Sequence, residues 1–324
     1  MNLSTIKPFI LQSEAVRGNG ENAAFAHSFE SGLVVTGVFD GCGDIGNRRY
    51  SGANDRTGAY IGSRIAAFAA SEYFEQNFSK KGSSYIRRTS TEQLEYVRQL
   101  KEHISGKLDE VKKRLSRPDE EACTELPTGV SITASMSAGN FTLCNYIWAG
   151  NTRGYMLDDQ GLCQLTTDDT DINSDDAFAH LRKRGKITNY AGGTGDFRLH
   201  SGFTVFSRPV IMINASEECF AHFRTPMEFE NVILQTMTEA SSPSRWMARL
   251  GEILKKITGS DCTIAFACYG FEDFEDMKKY YTMRQIRIRK DSIDLHRGAD
   301  EKILKQLWEQ YRSSYYRSKL KTKY

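Results

Sequence analysis

The spacing of apolar residues changes along the first third of the chain. Residues 8–15 and 32–39 are short apolar runs bounded by glycine and polar residues, which is typical of strands. From about 56 to 78, and again from 91 to 115, apolar residues recur every three or four positions, which predicts two amphipathic helices. The apolar stripe of the first helix consists of Ile61, Ile65, Phe68, Ala69 and Tyr73.

Later parts of the chain read as a block of strands, then helices, then one more strand. The predicted strands lie at 130–136, 141–148, 153–157, 162–165, 202–206, 209–214 and 262–269, and the predicted helices at 227–239 and 243–257. Residues 172–200 are polar and are predicted to be irregular. Because strands and helices come in blocks and do not alternate singly, the pattern predicts an α+β sandwich with antiparallel sheets packed between helices.

Composition sets limits on size and partners. The chain has 324 residues, of which 40% are hydrophobic and 26% charged, enough for one large globular domain or two modest ones. The net charge is only +2, so no strong overall field favours nucleic acid or membrane.

The charge is unevenly distributed. Residues 277–324 contain 14 Lys or Arg and 5 Asp or Glu, a net +9, which leaves −7 for the rest of the chain. We therefore predict a main domain at 1–272 and a basic, partly helical extension at 273–324. Binding of RNA or an acidic partner by the extension is one interpretation, and docking on the acidic main domain is the favoured one.

Cysteines and hydropathy bear on the compartment. The seven cysteines are scattered and contain no CxxC pair, which argues against a zinc site or a disulfide framework. Neither a signal-peptide-like apolar run at the start nor a membrane-length apolar stretch is evident. We therefore expect a cytoplasmic protein that does not span a membrane.

Four carboxylates stand next to predicted strands although they are far apart in sequence. Glu21 follows the first strand, Asp40 ends the second, Glu217 follows the strand at 209–214, and Asp261 precedes the last strand. A carboxylate offers hard oxygens to a divalent cation, and the glycine after Asp40 lets the backbone come close to an ion. The sequence thus predicts a cation site wherever the sheets bring these residues together.

Six segments in order resemble the PP2C protein serine/threonine phosphatases, the metal-dependent PPM family. The resemblance runs from about residue 10 to 270. The segments are Arg17-Gly-Asn-Gly-Glu21-Asn22, Val38-Phe39-Asp40-Gly41-Cys42-Gly43, 128–134, 148–153 with 164–166, 215–220 and 260–263. Each match is weak alone, but six in order are fairly specific for the fold. The resemblance implies a divergent member with a four-layer α-β-β-α sandwich.

The resemblance also implies a mechanism. Asp40 would bridge two Mn²⁺ or Mg²⁺ ions, with Glu21 and the Gly41 carbonyl serving one ion and Glu217 and Asp261 the other. A water shared by the ions would attack the phosphorus of a phosphorylated serine or threonine, while Arg17 would hold phosphate oxygens. The implied substrate is a phosphorylated protein, and the implied partner belongs to kinase-linked signalling.

Several positions depart from the family pattern. Cys42 stands where the family has the histidine thought to protonate the leaving group, and a thiol is a poorer match to neutral pH. The other departures are Asn22 and Asn151 for aspartate, Glu217 for aspartate, and Ser260 at the position of the last metal-binding aspartate, with Asp261 one place later. A catalytically weak or inactive pseudophosphatase that acts as a binding module is therefore the alternative hypothesis.

Two other interpretations of the glycine-rich loop are weaker. Gly41 to Gly46 also satisfies G-x-G-x-x-G after a strand, which is a dinucleotide-binding pattern. That pattern needs a helix beginning within the loop, and here polar residues delay the helix while Asp40 would face the phosphates. Cys42 could also be a reactive thiol, although a cysteine at a strand end is more often inert.

Overall fold

The structure is a computed structural model that describes residues 6–79, 90–116 and 124–318. Residues 116–127, with two prolines and several charged residues, are predicted from the sequence to be a connector, and most of them lie outside the described residues. Cys123, the start of the chain and the end of the basic extension lie outside them too. The helices are α1 (Gly58–Phe78), α2 (Ser90–Leu115), α3 (Ala177–Arg182), α4 (Pro226–Glu239), α5 (Pro243–Thr258), α6 (Phe274–Ile288) and α7 (Glu301–Tyr315). Short 3-10 turns form at Ser51–Ala53 and Glu217–Cys219, and a π-helical turn at Arg289–Asp294.

Twelve strands form within the described residues, and ten of them build two five-stranded antiparallel sheets. The strands are β1 (Phe9–Ser13), β2 (Ala23–Ser28), β3 (Val34–Gly41), β4 (Arg49–Tyr50), β5 (Arg56–Thr57), β6 (Thr128–Ala138), β7 (Phe141–Ala149), β8 (Arg153–Asp158), β9 (Gly161–Gln164), β10 (His200–Ser207), β11 (Val210–Ala215) and β12 (Cys262–Tyr269). The first sheet has the order β1-β12-β11-β8-β9 and the second the order β10-β7-β6-β3-β2.

The sheets stack face to face with helices on both outer sides. Buried side chains of α1 and α2 share one apolar cluster with the second sheet, and those of α4 to α7 share another with the first sheet. A third cluster, which includes Cys144, Met212 and Tyr269, lies between the sheets. The predicted α+β sandwich is therefore confirmed, with four layers in the order helix, sheet, sheet, helix.

A polar group is buried between the two sheets. The amide nitrogen of Asn214 on β11 donates to Thr36 Oγ1 at 2.9 Å and to Thr133 Oγ1 at 3.0 Å. Its amide oxygen accepts a hydrogen bond from Ser131 Oγ at 2.8 Å. The Asn214 side chain is fully buried, so these hydrogen bonds across the interface replace its hydration and fix how the sheets align.

Two elements differ from the sequence prediction. Strand β2 (Ala23–Ser28) lies in a stretch for which the sequence predicted no strand, because its alanine-rich sequence carries little strand propensity by itself. Pairing with β3 along its whole length supplies the missing stabilisation. Helix α3 lies inside the stretch predicted to be irregular, where a six-residue helix gives almost no periodic signal.

The last part of the chain packs against the first sheet. Tyr281 on α6 and Trp308 and Tyr315 on α7 are at most 1% exposed and belong to the core cluster of that sheet. Basic residues join in, since Arg284 pairs with the buried carboxylate of Glu230 at 2.6 Å. The domain boundary after residue 272 stays a prediction, but α6 and α7 contribute directly to the main core. No helix in the described ranges is long and apolar enough to cross a membrane.

Candidate active site

The end of β3 carries the first candidate residues. Asp40 and Gly41 are its last two positions, and the loop after them turns back tightly. A Cβ atom at Gly41 would clash with the backbone carbonyls of Glu21 and Ala59, and one at Gly43 would clash with the Glu21 carboxylate. Glycine at these positions is what allows the loop to lie directly against Glu21.

The same loop is held from behind by the segment that leads into β6. The N–H of Cys42 donates to the Pro127 carbonyl at 3.1 Å. The neighbouring Leu126 carbonyl is enclosed by two glycines, because a Cβ at either Gly62 or Gly192 would overlap it. Gly192 also has φ +80°, a left-handed backbone conformation that favours glycine.

Asp40 and Glu217 are neighbours in space although they are 177 positions apart. The backbone N–H of Glu217 donates to Asp40 Oδ2 at 2.7 Å. Glu217 begins the 3-10 turn directly after β11, so the stacking of the two sheets brings the end of β3 next to the end of β11. The condition on which the predicted cation site depends most, proximity of these two carboxylates, is present in the fold.

Glu21 approaches the same place from the other side of the loop. Its Oε1 atom accepts a hydrogen bond from Thr57 Oγ1 at 2.6 Å, which fixes the carboxylate. Burial raises the pKa of Glu21, and the charge of Asp261 acts in the same direction, whereas the Thr57 hydrogen bond opposes the shift. A carboxyl group in this setting is ionised more easily when a cation is close.

Asp261 is held by backbone groups. Its Oδ1 atom accepts from the N–H of Ala15 at 2.7 Å and its Oδ2 atom from the N–H of Glu21 at 2.8 Å. Each oxygen keeps one further lone pair for an ion, but both already tie the start of β12 to the segment after β1. These contacts favour an anchoring role, and its metal role stays a prediction.

One cavity of about 920 Å³ collects these groups. Its lining includes six of the predicted site residues: Glu21, Asp40, Gly41, Cys42, Glu217 and Asp261. Arg17 is exposed and is not among the lining residues, so its contact with phosphate stays a prediction. Ser260 and Asn151, two of the departures from the family pattern, line the cavity as well.

The cavity favours a cation electrostatically. Burial, together with the negative charge of Glu217 and two further acidic neighbours, raises the pKa of Asp40 to about 8, although the Glu217 N–H opposes this. Burial likewise raises the pKa of Glu217. Crowded carboxyl groups hold protons until a positive charge replaces them, so a divalent cation would displace protons and relieve their repulsion.

The donor set suits Mg²⁺ or Mn²⁺ in chemistry, but it is not a closed side-chain cage. Across residues 6–79, 90–116 and 124–318, no group of three or more His, Cys, Asp or Glu side chains is arranged to ligate one metal ion. Mg²⁺ commonly keeps several waters and takes only one or two carboxylates from the protein. Glu21, Asp40, Glu217 and the backbone at Gly41 fit that pattern of partial protein ligation.

The Cys42 thiol faces the backbone. Its Sγ lies 3.7 Å from the Asp40 carbonyl oxygen, to which the thiol can donate. Burial raises the pKa of Cys42, and the adjacent charge of Asp40 raises it further. The thiol therefore keeps its proton at neutral pH and is a weak acid for protonating a leaving group.

Two positively charged side chains at the cavity were not predicted from the sequence. Arg184 and Lys186 line it, and both are exposed enough to meet a ligand. Arg184 pairs with Glu218 at 2.9 Å and lies 2.8 Å from His222, so its guanidinium is fixed at the rim. The sequence does contain a run of basic residues at 182–186 that could have drawn attention to them. The run lies in a stretch predicted to be irregular, so the sequence did not indicate that it is close to the acidic residues.

Comparisons with known proteins agree with the geometry. No protein family model matches this chain, and no curated protein sequence matches it. Solved structures do: the serine/threonine phosphatase Stp1 from Staphylococcus aureus is similar with a TM-score of 0.56 and 13% identity, over 83% of this chain and 98% of that chain. The Mycobacterium tuberculosis serine/threonine phosphatase PstP/Ppp has a TM-score of 0.54 and 16% identity, over 82% and 99%.

A third similar structure is the catalytic domain of PstP in complex with two manganese ions, with a TM-score of 0.52 and 16% identity, over 82% and 98%. These neighbours are phosphatases of the PP2C, or PPM, type. The chain described here has their fold, which confirms the resemblance predicted from its six motifs at the level of the fold.

Proposed function

We propose that this protein is a metal-dependent phosphatase that hydrolyses phosphorylated serine and threonine residues of a protein substrate. The observation that carries the proposal is the contact between Asp40 and Glu217, which places two half-buried carboxylates from distant strands in one cavity of a PP2C-type fold. The same cavity has cations at its rim, so it offers places for metal ions and for a phosphate group.

The acidic residues hold the ions in this proposal. Asp40 is central, with Glu21 and Gly41 on one side and Glu217 on the other; Asp261 is retained from the sequence prediction as a further ligand. When bound, two Mn²⁺ or Mg²⁺ ions would supply a water acidic enough to attack phosphorus near neutral pH. The protein keeps the carboxylates apart and oriented through Thr57 and the Glu217 N–H.

Cationic side chains bind the phosphate group. Arg184 is fixed by Glu218 and His222 and presents the planar donor group that suits phosphate oxygens. Lys186 adds a second positive charge at the cavity. Arg17 is kept as a predicted phosphate ligand from the family motif, and its replacement can be compared directly with that of Arg184.

The second candidate function is a catalytically weak or inactive pseudophosphatase. Two observations favour it: the weakly acidic thiol at Cys42 and the absence, within the described residues, of a cluster of three side-chain metal ligands. Under this alternative the cavity binds a phosphorylated partner without turning it over.

One experiment separates the two functions. The purified protein is assayed with Mn²⁺ on a phosphoserine peptide, with Mn²⁺ binding measured by calorimetry. Turnover that disappears in Asp40→Asn and persists in the exposed variant Asp159→Asn supports the phosphatase. Mn²⁺ binding without turnover supports the pseudophosphatase, and no Mn²⁺ binding at all contradicts the proposed metal site.

The cellular setting is proposed more coarsely. A phosphorylated protein in kinase-linked signalling is the expected partner, and a cytoplasmic location remains the prediction from cysteine use. Nucleic-acid binding through the basic extension is the less favoured interpretation, because Arg284 and Arg317 are paired with Glu230 and Asp158 of the main domain.

A further inference from the structure

The segment that carries the rim cations is a closed loop. Asp171 and Lys186 exchange hydrogen bonds at its base: the Asp171 N–H donates to the Lys186 carbonyl at 3.0 Å, and the Lys186 N–H donates to Asp171 Oδ1 at 2.8 Å. Helix α3 lies within this loop, and Arg184 follows it after one residue, Lys183. We call residues 171–186 the rim loop.

Helix α3 is too short to hold the rim loop in place by itself. It has six residues, whereas isolated helices shorter than about 12 residues are marginal in water. From inside the main domain it is held by His180, whose Nδ1 lies 3.4 Å from Asp168. The side of α3 that faces away from the main domain must therefore be positioned by the element that packs against it.

Helix α7 of the C-terminal extension packs on that outer side. The Trp308 indole N–H donates to Asp176 Oδ2 at 3.2 Å, while Asp176 Oδ1 caps α3 by accepting from the Phe178 N–H at 2.9 Å. The Trp308 ring also stacks on the ring of Phe178. One carboxylate thus joins the start of α3 to the core of α7.

Tyr316, directly after α7, holds the same end of α3. Its hydroxyl accepts from the Ala177 N–H at 2.6 Å and donates to the Asp175 carbonyl at 3.0 Å. At the other end of α3, Arg182 pairs with Glu301, the first residue of α7, at 2.9 Å. Helix α7 therefore contacts both ends of α3.

We propose that the C-terminal helix α7 sets the position of the rim cations, and that Trp308 and Tyr316 are positioning residues for phosphate binding that act through α3. The proposal rests on the proposed function, since it assigns Arg184 and Lys186 to phosphate. It adds that substrate affinity depends on residues of the C-terminal extension that do not line the cavity.

The test uses the full chain with Trp308→Phe, which removes the indole N–H, and Tyr316→Phe, which removes the hydroxyl; both keep an aromatic side chain at the position. Matched controls are Trp246→Phe, which removes a hydrogen bond to Thr236, and Tyr281→Phe, which removes one to the Leu157 carbonyl, both away from α3. The first readout is tryptic cleavage within 182–186, where Arg182, Lys183, Arg184 and Lys186 are exposed. We expect cleavage about fivefold faster than in the controls for Trp308→Phe, which loses one hydrogen bond to α3, and at least fivefold faster for Tyr316→Phe, which loses two.

The second readout is the Kd for inorganic phosphate in the presence of Mn²⁺, which needs no turnover. We expect it to rise about fivefold in the test variants. If the protein is active, KM should rise while kcat changes less than twofold. In Asp176→Ala, where the bond to Trp308 is already lost, adding Trp308→Phe should have little further effect.

The outcomes separate this proposal from the proposed function. An inactive protein whose test variants still show faster cleavage and weaker phosphate binding would support the positioning role and refute only the phosphatase. Cleavage rates equal to those of the controls, or an unchanged Kd for phosphate, would overturn the positioning role even in an active enzyme. Wild-type protein that binds no phosphate would overturn it too.

Discussion

At the scale of single residues, Cys42 is expected to limit how fast a poor leaving group departs. Its thiol has a raised pKa and its Sγ lies near the Asp40 carbonyl. Cys42→His would place a group with a pKa near neutrality at the same position. We expect kcat for a phosphoserine peptide to increase by about tenfold or more, since general acid catalysis contributes roughly 10²–10⁴-fold.

The leaving group provides the control for this prediction. p-Nitrophenolate departs without protonation, so kcat for p-nitrophenyl phosphate should change less than twofold in Cys42→His. Cys42→Ser, which introduces no titrating group near neutral pH, should raise neither rate. Equal gains on both substrates would contradict a role in leaving-group protonation.

Asp40 gives a pH-dependent prediction for the metal-free protein. Because its pKa in the folded state is raised from 3.8 to about 8, the folded protein keeps a proton that the unfolded chain loses. The stabilisation from this group is therefore complete below about pH 4 and is lost as pH rises to about 8. Asp40→Asn has no such loss and keeps an acceptor for the Glu217 N–H.

We expect the variant to gain about 3–4 kcal/mol of unfolding free energy relative to wild type between pH 5 and pH 8. Urea denaturation in the presence of a chelator measures this gain. The exposed Asp44→Asn, at the same cavity, is the control variant, measured in the same way at the same pH values. A constant difference for Asp40→Asn would mean that the carboxyl is already ionised without metal.

Which site residues could be predicted from sequence depends on how local their signal is. Asp40 and Gly41 stand together at the end of an apolar strand, and the chemistry of that pair is visible in one segment. Arg184 and Lys186 could not be assigned, because local sequence does not show that the segment after the short helix α3 lies against the cavity. The sequence could not decide which of Ser260 and Asp261 takes the place of the family's last metal-binding aspartate. In the structure, Asp261 accepts hydrogen bonds from two backbone N–H groups.

At the scale of elements, Asn214 is expected to be important for the packing of the two sheets. Asn214→Ala removes the hydrogen bonds that its side chain makes with three buried hydroxyl groups, and it leaves a small cavity. We expect a loss of roughly 2–4 kcal/mol of unfolding free energy, the range for breaking a buried polar network. Chemical denaturation measures it, with the exposed Asn140→Ala as the matched control; a loss equal to that of the control would show that the network contributes nothing.

Long elements with a clear period were predicted well, and short or alanine-rich ones were not. Helices at 227–239 and 243–257 match α4 and α5 within one residue at each end, since each has a proline at its start and a clear apolar face. Strand β2 and helix α3 depend on neighbours, β3 for the strand and α7 for the helix. Such contacts form between segments that are far apart in sequence, so the local sequence of β2 or α3 does not predict them.

At the scale of the whole molecule, the C-terminal extension is expected to be needed for folding. Tyr281, Trp308 and Tyr315 are nearly fully buried, and removing them would uncover a large apolar surface of the first sheet. We expect a chain ending at residue 272 to be insoluble or to melt without a cooperative transition. Circular dichroism during heating measures this, and a cooperative transition near that of the full chain would show that 1–272 folds independently.

The two glycines around Leu126 have a consequence for variation in this protein. Even a single methyl group at residue 62 or 192 would overlap the Leu126 carbonyl, next to Pro127, whose carbonyl accepts the hydrogen bond that holds the turn after Asp40, although neither residue lines the cavity. A library of random substitutions screened for loss of activity should therefore recover these distant positions alongside the acidic ones. Whether a position in this region tolerates substitution should therefore depend more on its packing against the turn than on its distance from the acidic residues.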